Sequence, residues 1–196
     1  MSINNLGKIK TLLSFNSEDD FYHLQIIKRK KEHPGLGSNS MVIKTYYIKS
    51  IEHLEKVISE IICICNFHNA RGCINLNKRN FEKIAFHTLR KITDQIMNKD
   101  FSSVKDAYNS VCGIYSNESE KKWIIDVDRK DNYSHGLWIA TKLVNLEPNS
   151  GIEKVICILD TKNGYHLITK PFNISESKPF LTEEIHKDNH TILYIP

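Results

Sequence analysis

The stretch best suited to chemistry is Lys121-Lys122-Trp123-Ile124-Ile125-Asp126-Val127-Asp128. Trp123, Ile124, Ile125 and Val127 are strand formers, so 122–128 reads as a buried strand. Side chains at i and i+2 of a strand share a face, which sets Asp126 and Asp128 side by side about 7 Å apart. Two carboxylates so placed repel each other unless a cation lies between them. A hard divalent ion such as Mg2+ or Mn2+ is the usual answer. The bland alternative is a strand running out into a solvated turn, Asp128-Arg129-Lys130-Asp131.

A second stretch is Thr161-Lys162-Asn163-Gly164-Tyr165-His166-Leu167-Ile168. Asn-Gly between two β-rich runs signals a hairpin. His166 then falls one residue into the return strand, where an imidazole can hydrogen-bond or polarise a phosphate. Gly164 allows close backbone approach to a ligand, and Thr161, Lys162 and the N–H groups of the turn are donors suited to a triphosphate. Without a partner site, His166 reads as an ordinary half-buried histidine.

The elements that would position these residues can be read along the chain. The segments 21–31 and 41–48 are strand-like and form a hairpin with Lys28, Arg29 and Lys44 near one rim. Ser50 caps an amphipathic helix over 51–67. A short strand at 71–76 starts with Arg71, and 77–80 is a turn ending in the helix cap Asn80. Helices follow over 81–97 and 101–115, the second capped by Ser102 or Ser103, and 116–120 is a loop. After the Asp-x-Asp strand come a helix over 133–146 stopped by Pro148-Asn149-Ser150-Gly151, and strands at 155–160 and 165–172. Segment 173–179 is a polar loop, 181–186 has no clear assignment, and 191–195 is a closing strand. A strand, helix, hairpin order returns the hairpin beside the first strand and lays His166 over the aspartates. The pattern is α+β, in one domain over 1–196 with an N-terminal lobe to about 116 and a C-terminal lobe from about 117.

Composition bounds the rest. The chain has 196 residues, 40% hydrophobic and 26% charged, which describes a globular protein with a real core. No apolar run reaches the ~18 residues of a membrane span, and 1–5 has no secretory pattern. The five cysteines lack zinc-ligand spacing and read as reduced thiols of a cytoplasmic protein. A net charge of +4 is compatible with a polyanionic partner. Arg71, Lys44, Arg29 and Lys170 are candidate phosphate or template contacts. No Walker-type loop or G-x-S-x-G is present.

Taken together, the hydrophobic-Asp-hydrophobic-Asp strand and, some forty residues on, the small-x-x-Gly-Tyr-His-hydrophobic strand resemble the archaeo-eukaryotic primase (primase-polymerase) superfamily. The match is good over 123–128 and 161–168 and weaker over the N-terminal lobe, and about a third of the chain carries the resemblance. It implies a two-lobed fold with an RRM-like antiparallel catalytic sheet. It also implies divalent metals on Asp126 and Asp128, and nucleotide phosphates on the His166 strand. A third acid on a later strand would complete the metal site. Asp188, Glu184 and Glu183 are the candidates, with Asp188 preferred because it precedes the closing strand. The implied activity is nucleotidyl transfer from nucleoside triphosphates on a single-stranded template in a minimal viral or plasmid core, with a helicase or replisome protein as a further partner. No zinc set or helicase segment accompanies it. An inactive nucleic-acid- or partner-binding homologue and a metal-dependent nuclease are the competing expectations.

Overall fold

The computed structural model describes residues 2–37, 39–116, 121–128 and 133–196. The turn expected over 128–131 lies outside the described residues beyond Asp128, as does the loop over 116–120 beyond Ser116. Among the described residues, the first half runs β1 (Ile3–Asn4), α1 (Leu6–Lys10), β2 (Asp20–Lys28), β3 (Met41–Ile48), α2 (Ile51–His68), β4 (Arg71–Asn75), β5 (Arg79–Asn80), α3 (Phe81–Met97) and α4 (Ala107–Ile114). The second half runs β6 (Trp123–Val127), α5 (Tyr133–Leu143), β7 (Val155–Asp160), β8 (Tyr165–Thr169), α6 (Ile174–Ser177), β9 (Glu184–His186) and β10 (His190–Ile195).

These elements form two antiparallel sheets, and the fold is mixed α/β of the α+β kind. The first sheet has the order β1-β10-β4-β2-β3, with β5 paired to β2; the second has the order β7-β8-β6-β9. The closing strand β10 therefore joins the sheet of the N-terminal half rather than that of its sequence neighbours. Asn5 stitches the sheets together, its amide donating to the carbonyls of Asp160 (2.9 Å) and Ile192 (3.0 Å).

Local signals explain several elements. Ser50 accepts from the His53 N–H (3.0 Å) and Asn80 from the Lys83 N–H (3.1 Å), each filling an orphan donor at a helix start. The α2 stripe Leu54, Ile61 and Cys65 is buried against the first sheet, where Gly72 matters. A Cβ on Gly72 would lie 3.3 Å from Ile61 and 3.5 Å from the Cys65 sulfur, so this strand passes close under the helix. The helix expected over 101–115 is instead a 3₁₀ turn, Phe101–Asp106, followed by α4. Ser102 and Ser103 do not cap it; their hydroxyls donate to the Asp100 carboxylate. The helix expected over 133–146 ends at Leu143.

Strand β6 alternates between two cores. Ile125 and Val127 pack with Ile139, Leu143 and Leu167 under α5. Ile124 joins Ile168, Leu159, Leu24, Ile74 and Leu193 in the cluster shared with the first sheet. Asp126 and Asp128 follow Ile124 on its face. The inter-sheet space is thus apolar around Ile124 and becomes polar toward Asp128. All five cysteines are free; Cys65, Cys73 and Cys112 are buried, Cys157 is half-buried and Cys63 is exposed.

Candidate functional site

Register assembles the site. In the second sheet Asp126 pairs directly with His166 of β8 on one side and Glu184 of β9 on the other. Directly opposed residues of antiparallel strands share a face, so one row reads His166, Asp126, Glu184. Asp126, Asp128 and His166 border a cleft of about 410 Å³ between the sheets, joined there by Thr161, Lys162 and Arg71. Arg29, Glu184, His186 and His190 also line it. Six of the eight site residues expected from sequence are therefore brought together; Gly164 and Asp188 are not.

His166 is held from both sheets. Its Nδ1 lies 2.8 Å from the Thr191 hydroxyl of β10, and its Nε2 lies 3.5 Å from Asp126 Oδ1. Hydrogen bonding from His166 is the main reason the Asp126 carboxyl sits below its ordinary range; burial opposes it, and His186 and Arg29 assist. The native surroundings favour its ionised form.

The loop after β7 is only partly available to a ligand. Asp160 pairs with Tyr165, leaving the four residues Thr161–Gly164 as the turn between the two strands. Gly164 is buried, its N–H donating to Thr161 Oγ1 (3.1 Å), and the Thr161 N–H is spent on the Gly164 carbonyl (3.0 Å). Gly164 thus closes the loop instead of contacting the cleft, and those two N–H groups are not free donors. Thr161, Lys162 and Asn163 face the cleft. Behind the hairpin, Gly136 of α5 permits close packing, because a Cβ there would come within 2.9 Å of the Tyr165 hydroxyl.

Two cleft cations share one carboxylate. Arg71 Nε donates to Glu32 Oε2 (2.9 Å), Arg71 Nη2 donates to Oε1, and Lys162 Nζ reaches Oε1 at 3.1 Å. These bonds, Arg71's foremost, hold the Glu32 carboxyl down to about 2 against the opposing effect of burial. Among the other expected basic contacts, Arg29 lines the cleft, whereas Lys44 pairs with Glu60 and lies over the Tyr46 ring.

The preferred third acid is elsewhere. Asp188 accepts from Asn75 (2.8 Å), Asn77 and the buried guanidinium of Arg79 (3.2 Å), and does not border the cleft. Glu183 is taken up by His135 at 2.6 Å. Of the three candidates Glu184 alone borders the cleft, and its side chain is 75% exposed.

Sequence reasoning gave no role to Glu32, His186 or His190. Glu32 follows a run of lysines and reads as a surface residue until the fold closes. His190 pairs with buried His23, Nδ1 of His23 lying 3.2 Å from Nε2 of His190. Burial pushes His23 down to about 3, helped by His190 and Arg79, and pushes His190 down to about 4, helped by Arg79. Among the described residues no three His, Cys, Asp or Glu side chains are grouped as a metal cluster, and no helix is long and apolar enough to cross a membrane.

No family model matches the chain, and neither the curated proteins nor the solved structures offer a match.

Proposed function

We propose that this chain is a metal-dependent nucleotidyltransferase of primase-polymerase type. The observation that carries the reading is the direct cross-strand pairing of Asp126 with His166, with Asp128, Thr161, Lys162 and Arg71 on the same cleft. The β-α-β-β-α-β run with strand order β7-β8-β6-β9 is that of a ferredoxin-like, or RRM-like, sheet and adds support.

The residues fit Mg2+ or Mn2+. Magnesium is usually held by one or two carboxylates plus substrate phosphates and water, rather than by an all-protein cage. Asp126 and Asp128 supply two hard oxygen donors on one face, and Glu184, paired with Asp126 in register, rather than Asp188 is the further acid that borders the cleft. A bound ion supplies Lewis-acid neutralisation of phosphate charge and eases deprotonation of an attacking hydroxyl. The chain's own part is positioning. Thr191 fixes the His166 ring so that Nε2 faces Asp126 and the cleft, where it can donate to a phosphate oxygen. Thr161 and Lys162 would hold the triphosphate at the hairpin, with Arg71 beside Lys162. Arg29 lines the cleft, and a single-stranded template would bind on that side in a salt-dependent manner. A partner such as a helicase would act outside this cleft.

The test is nucleotidyl transfer on primed and unprimed single-stranded templates with Mn2+ or Mg2+, in wild type, Asp126→Asn and Asp128→Asn. Product from the wild type and none from either variant is expected, together with a metal-dependent rise in melting temperature that Asp126→Asn removes. Absence of divalent binding in a calorimetric titration with nucleotide present would falsify the catalytic reading. One observation favours a second reading, a nucleotide-binding homologue without turnover: Asp126 already has a protein partner in His166. Triphosphate binding without product from any nucleotide mixture selects it.

A further inference from the structure

Arg71 and Lys162 border two cavities. One is the cleft; the other, about 400 Å³, is also lined by Lys31, Glu32 and Asn69. Glu32 borders only the second. Its carboxylate therefore holds both cations from the side of the second cavity. The contact is the forked arrangement a guanidinium makes equally with carboxylate and phosphate. The two cations come from unrelated segments, the start of β4 and the loop after β7, and meet on this carboxylate.

Glu32 is carried by a segment suited to letting go. It ends the 3₁₀ turn Lys30–Glu32, which buries no residue. Pro34, Gly35 and Gly37 follow. Besides Glu32, the tethers of the segment include the His33 ring on the Asn69 carbonyl (2.8 Å), the Lys30 N–H on the Ser40 hydroxyl (3.3 Å) and short-range bonds such as His33 N–H to Arg29 O (3.1 Å) and Leu36 N–H to His33 O (3.0 Å). No apolar anchor has to be extracted from the core for it to move.

We propose that Glu32 is an internal anion that a polyphosphate must displace from Arg71 and Lys162, so that it sets how much negative charge a ligand needs to occupy the cleft. A singly charged ligand merely exchanges one carboxylate-like partner for another and gains little. A di- or triphosphate brings more charge than Glu32 offers and wins both cations. The inference deepens the triphosphate reading and depends on it for the identity of the ligand, but not for the competition itself.

Inorganic pyrophosphate and orthophosphate are titrated calorimetrically into wild type, Glu32→Gln and Glu32→Asp. Glu32→Gln is expected to bind pyrophosphate roughly tenfold more tightly than wild type, the scale of one charge-assisted contact, with orthophosphate strengthened alongside it. Glu32→Asp keeps the charge and should stay close to wild type. Affinity in Glu32→Gln no better than wild type overturns the inference. Should that variant not fold, the wild type decides by hydrogen exchange. The His33 and Leu36 amides should exchange faster as pyrophosphate is added and Glu32 is released; unchanged exchange across the titration overturns it. Tighter pyrophosphate binding in Glu32→Gln, with nucleoside triphosphate binding indifferent to His166→Ala, leaves the competition standing and removes the nucleotidyl-transfer reading.

Discussion

Arg71 opens β4 and Arg79 opens β5, and each holds a carboxylate, yet the surroundings give the two pairs different work. Arg79 is fully buried, donating to the Cys112 carbonyl (2.8 Å), to the Asn77 carbonyl and to Asp188. Asp188 in turn takes Asn75 and Asn77, and the Asn77 side chain bonds both backbone groups of Lys122 at the entry to β6 (2.7 and 3.0 Å). That network ties the β4–β5 turn, the entry to β6 and the β9–β10 turn together. Glu32, by contrast, reaches Arg71 and Lys162 from a surface turn, and the Lys162 side chain is 57% exposed. The two carboxylates are equally shielded, so the pairs differ in what else each cation does: Arg79 also donates to two carbonyls and is a structural joint, whereas Arg71 and Lys162 border two cavities and their carboxylate can be exchanged.

The comparison breaks most sharply at Asp188. Asp188→Ala takes the only carboxylate bonded to the buried Arg79 guanidinium among the described residues, and an acceptor of the Asn75 amide, and should cost about 3–5 kcal/mol in urea unfolding. The folded fraction should bind Mn2+ as wild type does. A loss below about 1 kcal/mol would make the two pairs equivalent.

Acidification acts on the same buried region. His23 and His190 face each other and Arg79, whose charge is balanced by Asp188. Both folded-state values, about 3 and about 4, lie below the ordinary 6.5. Below pH 6.5 the unfolded chain takes up protons that the native state refuses, so stability falls with pH through that window until the folded values are reached. From pH 7 to 5.5 the loss should be about 2 kcal/mol for the two together. A His23→Gln, His190→Gln double variant with the wild-type slope would place the acid sensitivity elsewhere.

Glu32→Gln should cost only about 1 kcal/mol, since water in the adjoining cavities can serve Arg71. A cost matching that of Asp188→Ala would turn the Glu32 clamp into a second joint. Smallest of all, Lys162→Gln should stay within about 0.5 kcal/mol of wild type by the same measurement, as expected for an exposed ion pair. A larger loss would show Lys162 bracing the hairpin, not merely facing the cleft.

Much of this architecture is legible in the chain because it is decided within a few residues. The β-branched and aromatic runs 41–48 and 155–160 are the strands β3 and β7, and Ser50 and Asn80 start α2 and α3. The period of two on β6 is enough to put Asp126 and Asp128 on one face, and the strand, helix, hairpin order is enough to return β8 beside it. Local pattern does not say which distant group each charge meets. Arg71 and Lys162 lie 39 and 130 residues from Glu32 in sequence. Asp188 and Glu184 are both acids near the closing strand, and only the registers of β9 and β10 send one to the cleft and the other to Arg79. The 3₁₀ turn at Phe101–Asp106 and the insertion of β10 between β1 and β4 are likewise outcomes of packing. Periodicity and capping are short-range and survive reading residue by residue, whereas an ion pair or a sheet neighbour is chosen only when the whole chain competes for the same buried space.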